Sequence, residues 1–180
     1  MWGDPMWGDV PAAAPPKPME VHQREMPVIG FRAWNWSQPH KKYSAVILGS
    51  RHMDEKWNTQ GATKAKCLCY NSSDPFAHKQ PSDLTECGLY VLAKLKDVQQ
   101  HWDKNQVLGA VMGWGRVVQH GNQGWRAEYA QPIAFLRTDV LEDKPHEEQL
   151  SEQYQVPLMD RKGLEVYVKE YGDPLPNEQE

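Results

Sequence analysis

Three cysteines and a histidine fall in one short stretch: Cys67, Cys69, His78 and Cys87. Thiolate sulfur with imidazole nitrogen suits tetrahedral zinc. Four protein ligands leave no position open to water, so a metal held there would be structural. The spacing departs from the common zinc knuckle, because Cys-x-Cys brings both sulfurs to one ion only where the chain bends. The same residues also read as buried free thiols with a surface histidine, since cysteine is among the most buried residue types without any metal. A cysteine nucleophile needs a positioned base and an electropositive setting, and no base can be assigned to Cys87. A disulfide is disfavoured in a reducing compartment.

A second group lies around Gly121-Asn122-Gln123-Gly124, where glycine and asparagine tolerate the positive φ of a tight reversal. Val107 to His120 and Trp125 to Leu136 are strand-like runs on either side. With a four-residue loop, His120 faces Trp125, while Gln119, Arg126 and Glu128 share one side and Trp125, Ala127 and Tyr129 the other. Trp114, His120, Arg126 and Glu128 would line a pocket for acid/base or phosphate chemistry. That register puts His120 on the opposite face from Arg126 and Glu128, which favours a cross-strand Arg–Glu ion pair beside a turn histidine. Gly113-Trp114-Gly115 has neither the lysine nor the following helix of a phosphate loop. His40, His52 and His101 are isolated.

A third feature is the tandem Met1-Trp2-Gly3-Asp4 and Met6-Trp7-Gly8-Asp9, followed by a proline-rich run to Pro18. As a docking peptide it would use Trp2 and Trp7 as anchors and Asp4 and Asp9 as polar contacts. It reads equally as a duplicated translation start without a role. Proline at that density favours an extended tether.

The elements that would position these groups make one α+β domain, residues 28 to 172, between a Trp/Pro-rich tail of residues 1 to 27 and a polar tail of residues 173 to 180. Ile29, Phe31, Ala33 and Trp34 to Trp36 predict a strand, Tyr43 to Leu48 a second paired with it, and Ala65 to Tyr70 a short third. Residues 71 to 86 predict a loop. Val91, Leu95, Val98 and Trp102 share one helical face, which predicts a helix from Leu89 to Asp103. Gly109, Gly113 and Gly115 imply bending or close backbone approach in the first hairpin strand, so the sheet should be antiparallel, curled and barrel-like. Asp160 caps a C-terminal helix that buries Leu164, Tyr167, Val168 and Tyr171 and stops at Gly172 and Pro174.

Composition narrows the function classes. The 180 residues carry a net charge of −4 with both signs interspersed, so the footprint of a non-specific nucleic-acid binder is missing. No apolar run approaches the ~20 residues of a membrane span, and the N-terminus lacks the basic-then-apolar order of a secretory signal, so the expected location is the cytoplasm. Eight tryptophans demand a Trp-rich core or a partner that covers them.

Gly30-Phe31-Arg32-Ala33-Trp34, His78, Pro81, Cys87-Gly88-Leu89-Tyr90, the run Gly109 to Val117, His120 and Gly124 to Ala130 carry a resemblance to small uncharacterised proteins of actinobacteria and their phages. The resemblance spans Val28 to Leu136, with an echo at Tyr154-Gln155-Val156-Pro157. That family's pattern has Cys-x-Cys-Gly-[Ile/Leu]-Tyr, where this chain has Thr85 for the first cysteine and Cys69 in addition. The resemblance implies a shared fold and no reaction. If the family cluster is a metal site, one ligand has moved from position 85 to 69, or the metal is lost.

The leading functional expectation is a non-enzymatic binding protein, phage- or actinobacteria-encoded, docking on a protein through the Trp-bearing tail and an aromatic surface, with structural zinc as a staple. The alternatives are a small enzyme acting on a nucleotide or acyl substrate near Trp114, Arg126 and Glu128, and an aromatic platform for single-stranded nucleic acid.

Overall fold

The computed structural model describes residues 21–37, 47–50, 53–66, 87–100, 106–138 and 144–171. Within them the chain order is β1 (Val21–Ser37), β2 (Ile47–Ser50), β3 (Met53–Lys56), β4 (Thr63–Lys64), β5 (Leu89–Leu92), α1 (Leu95–Gln99), β6 (Gln106–His120), β7 (Gly124–Leu136), α2 (Lys144–Tyr154), β8 (Leu158–Met159) and α3 (Arg161–Tyr171). The fold is α+β, with all eight strands in one curled sheet. β6 pairs antiparallel with β1 on one side and β7 on the other, β7 pairs with β5, and β5 returns to β1 at Phe31 and Leu92. These four strands close on themselves, while β2, β3, β4 and β8 extend the sheet outward, so the result is partly ring-like without being a regular barrel.

Alternation along the strands sorts side chains between two apolar layers. Val28, Trp34, Leu89, Val91, Val111, Val117, Trp125, Ala127 and Phe135 fill the inner layer, with Trp57 and with Leu150 and Tyr154 of α2. Trp34 meets Trp57 and Phe135 edge-on, at ring-centroid distances of 5.3 and 5.7 Å, the quadrupole-favoured arrangement. Ile29, Phe31, Leu108, Ala110, Ile133 and Ala134 form the outer layer, which α1 covers with Leu95 and Val98 and α3 with Leu164. The ring is tight. A Cβ on Gly30 would lie 2.4 Å from Val91 Cγ1 and 2.8 Å from the Leu92 carbonyl, so only glycine lets β1 and β5 meet there.

α2 packs Leu150 and the Tyr154 ring into the inner layer, and one hydroxyl links it to the neighbouring strands. Tyr154 Oη accepts a hydrogen bond from the Leu48 amide (3.3 Å) and donates to the Trp57 carbonyl (3.0 Å), joining β2, the residue after β3, and α2. Burial pushes its pKa above the ordinary 10.0, with the Leu48 amide pulling the other way. Glu147, almost fully buried, accepts from the Thr138 amide at 3.1 and 3.2 Å and from its hydroxyl, which ties α2 to the end of β7. β8 then runs parallel to the end of β7. Asp160 Oδ1 accepts from the Gly163 amide at 2.7 Å, the expected cap of α3.

Several expectations are met and others are corrected. The β1–β2 and β6–β7 pairings are as anticipated, and Leu164, Tyr167 and Val168 of α3 pack on the sheet while Tyr171 is largely exposed. Over the described part of the helix expected from Leu89 to Asp103 the chain instead forms a strand, β5, followed by the five-residue α1; residues 101–103 lie outside the described ones. Leu89 and Val91 are buried with Tyr90 exposed between them, a period of two imposed by the place of β5 between β1 and β7. The positions 91, 95 and 98 matched a helical face by coincidence across a strand–helix junction. α2, a charged stretch with few apolar residues, was not anticipated as a helix. The third strand expected at Ala65 to Tyr70 is not formed at its described residues: β4 is Thr63–Lys64, Ala65 and Lys66 follow it outside any strand, and residues 67–70 lie outside the described ones.

Tyr154→Phe removes the hydroxyl and leaves a buried amide and a buried carbonyl without their partner, so it should lower stability by about 1–3 kcal/mol. Urea unfolding should show a lower midpoint at unchanged slope. A midpoint equal to that of the parent would mean that the hydroxyl does not hold α2.

Candidate functional site

The β6–β7 hairpin sets the site. Its turn has three residues, Gly121 to Gln123, so His120 pairs with Gly124, Gln119 with Trp125 and Val118 with Arg126. This differs by one residue from the four-residue loop expected, and a one-residue slip exchanges faces. His120 therefore shares a face with Arg126, a correction to the separation anticipated. Arg126 Nε donates to His120 Nε2 at 3.1 Å, and Arg126 Nη1 donates to the Cys87 carbonyl at 2.7 Å. Tyr90, paired with Arg126 across β5 and β7, lays its ring over the guanidinium at 5.8 Å and stacks on His120 at 5.7 Å.

Arg126 is 0 % exposed while Tyr90 is 42 % exposed, so the tyrosine and histidine rings lie outermost and the guanidinium beneath them. Burial lowers the His120 pKa first, and the neighbouring Arg126 charge lowers it further. The neutral imidazole is the form that accepts from Arg126, and protonation removes the acceptor and sets two cations against each other. The cluster is thus a brace joining β5, β6 and β7, and its arginine is closed off from a ligand.

Trp114 and Glu128 belong to a second group. The ladder shifts between Trp114 and Val117, so Gly115 and Arg116 together oppose Glu128. Glu128 Oε2 accepts from the Arg116 amide at 3.4 Å, and its other oxygen lies 3.9 Å from Lys64 Nζ, so the Arg126–Glu128 ion pair expected is replaced by these contacts. Trp114 stacks on its cross-strand neighbour Tyr129 at 6.1 Å and 17°, and Lys64 Nζ sits 5.3 Å from the Tyr129 ring centre. The Lys64 pKa is raised, first by its hydrogen bond to Tyr129. Both rings are half-buried and Lys64 is exposed, which makes a flat aromatic patch with a cation at its edge.

Trp114, His120, Arg126 and Glu128 thus divide between a buried brace and a surface patch. Tyr90, Tyr129 and Lys64 complete the two groups and were not singled out from the sequence, although Tyr90 stood in the Cys-Gly-Leu-Tyr run. Of the expected metal ligands only Cys87, buried ahead of β5, is among the described residues; Cys67, Cys69 and His78 lie outside them, as do Trp2, Trp7, Asp4 and Asp9. Among the described residues no cluster of three or more His, Cys, Asp or Glu could hold a metal, and no helix is long and apolar enough to cross a membrane. No protein-family model, curated protein or solved structure matches the chain.

The His120 pKa below its ordinary 6.5 gives a signed prediction. The unfolded chain takes up a proton before the folded one does, so the contribution of neutral His120 is complete above pH 6.5 and is lost as pH falls from there through the folded value. His120→Gln, which keeps a neutral acceptor, should flatten the stability profile between pH 6.5 and about pH 5, where most carboxylates have yet to titrate. Parallel profiles for parent and variant would remove His120 from the brace.

Proposed function

We propose that this protein is a non-enzymatic binding module that docks on a protein partner through the Trp114–Tyr129 patch together with the Trp-bearing tail. The observation that carries the reading is the stacked Trp114–Tyr129 pair with Lys64 at its edge. Tryptophan, tyrosine and arginine are enriched in binding hot spots, and the two aromatics bury large areas with few rotatable bonds. The enzyme reading needs Arg126 within reach of a substrate, and a guanidinium at 0 % exposure, engaged by Cys87 and His120, does not offer that. On the phage resemblance, the partner would be a host protein or a virion component.

Cys67, Cys69, His78 and Cys87 fit this reading as a structural zinc staple on the segment that leads into β5. The metal would contribute folding energy and no reaction. Metal analysis of the purified protein should find one zinc per chain, and Cys69→Ser should lower both zinc content and melting temperature. A metal-free protein whose melting temperature is indifferent to Cys69→Ser would leave the cysteines as buried thiols.

Two variants test the docking surface in pull-downs with the full-length chain as bait. Deleting residues 1 to 18 should abolish capture at unchanged melting temperature, and Trp114→Ala/Tyr129→Ala should do so at a cost of about 2–4 kcal/mol in stability, from the half-buried ring area lost together with the aromatic pair. Capture that survives both changes would refute the docking surface. Retention of single-stranded oligonucleotides that falls steeply with salt would favour the aromatic-platform alternative instead.

A further inference from the structure

α3 turns Leu164 into the core and leaves a different stripe outside. Lys162, Val166 and Glu170 lie one helical turn apart on that stripe, and with Met159, Gly163 and Tyr167 they border an open groove of about 640 Å³. Val166 is 53 % exposed and Tyr171 43 %, so two of the three large apolar residues exposed among the described ones sit on this helix. A valine at the centre of a solvent-facing stripe is a small apolar target with a cation on one side and an anion on the other.

The order of those charges is self-complementary. Lys162 stands four residues before Val166 and Glu170 four residues after it. A two-fold axis through Val166 sets each residue against the one equally far on the other side, in a second copy running antiparallel. Val166 then meets Val166, Lys162 meets Glu170 twice over, and Arg161 falls opposite Tyr171. Gly163 adds no side chain to hold the helices apart. Neither Lys162 nor Glu170 has an ion-pair partner among the described residues, whereas Arg161 is held by Glu165 at 3.2 Å. A two-fold interface requires one patch to complement itself in this way, which a surface for an unrelated partner need not do.

We propose that the Lys162–Val166–Glu170 face of α3 pairs with the same face of a second copy, forming an antiparallel two-fold dimer. Eleven helical residues span about 16 Å, too little for the ~800 Å² per partner of a standard interface. The dimer is therefore weak, with a Kd on the order of 10⁻⁴ M. It does not rest on the docking reading, since it uses none of Trp114, Tyr129 or the tail.

Sedimentation equilibrium of the full chain, from tenfold below that Kd to tenfold above it, tests the pairing. The parent should fit a monomer–dimer equilibrium. Lys162→Glu and Glu170→Lys each place like charges together at two symmetric points and should raise Kd about tenfold, while Lys162→Glu/Glu170→Lys restores it to within about threefold. Val166→Glu should abolish the dimer. All four changes are solvent-facing and should leave the melting temperature unchanged, and Trp114→Ala/Tyr129→Ala should keep the parental Kd. A chain that stays monomeric throughout, a charge swap no better than its single components, or a dimer that survives Val166→Glu overturns the proposal.

Discussion

The architecture depends on fitting one tryptophan inside a ring of strands. Trp125 is fully buried in the inner layer, and its indole Nε1 donates to the Ile29 carbonyl across the ring at 3.2 Å. A ring side chain of that size buries roughly 150–250 Å², worth about 4–6 kcal/mol at the usual apolar coefficient. The fit is possible because β6 and β1 present glycine to it. A Cβ on Gly113 would lie 2.4 Å from Trp125 Cη2 and Cζ3, and one on Gly30 would lie 3.1 Å from Nε1. The same Gly30 admits β5, so filling and closing the ring are met by shared residues.

That constraint propagates to the polar groups. With Trp125 facing inward, its neighbour Arg126 must face outward beside Val118, and the three-residue turn brings His120 to the same side. Tyr90 arrives there because Leu89 and Val91 are drawn into the inner layer. The histidine and arginine that looked like chemistry are thereby committed to joining three strands. Among the described residues, aromatic and apolar side chains reach the surface on the periphery, at the stacked Trp114–Tyr129 pair and along α3.

The legible parts of the sequence were those where one local rule dominated. The β6–β7 hairpin was carried by long apolar runs around a glycine-rich turn, the cap of α3 by Asp160, and the curl by glycines at 109, 113 and 115. The site was less legible. The run from 121 to 124 does not reveal whether three or four residues make the turn, and the face of His120 rests on that single residue. β5 is too short for a period of two to outweigh a coincidental helical spacing, and its identity comes from strands distant in sequence. Among its described residues α2 buries only Leu150 and Tyr154 in the apolar core and is otherwise tied by the Tyr154 hydroxyl and the buried Glu147 carboxylate, which leaves little apolar periodicity to read.

A frame this dependent on one fit should show it as energetic coupling. The direct measurement is a double-mutant cycle on Gly113→Ala and Trp125→Phe, read by chemical denaturation. Phenylalanine lacks the benzo-ring atoms that a Cβ at 113 would strike, so the two changes should compensate. Gly113→Ala should cost about 2–3 kcal/mol beside tryptophan and at least ~1 kcal/mol less beside phenylalanine. Additive effects, within about 0.5 kcal/mol, would contradict a ring built around Trp125.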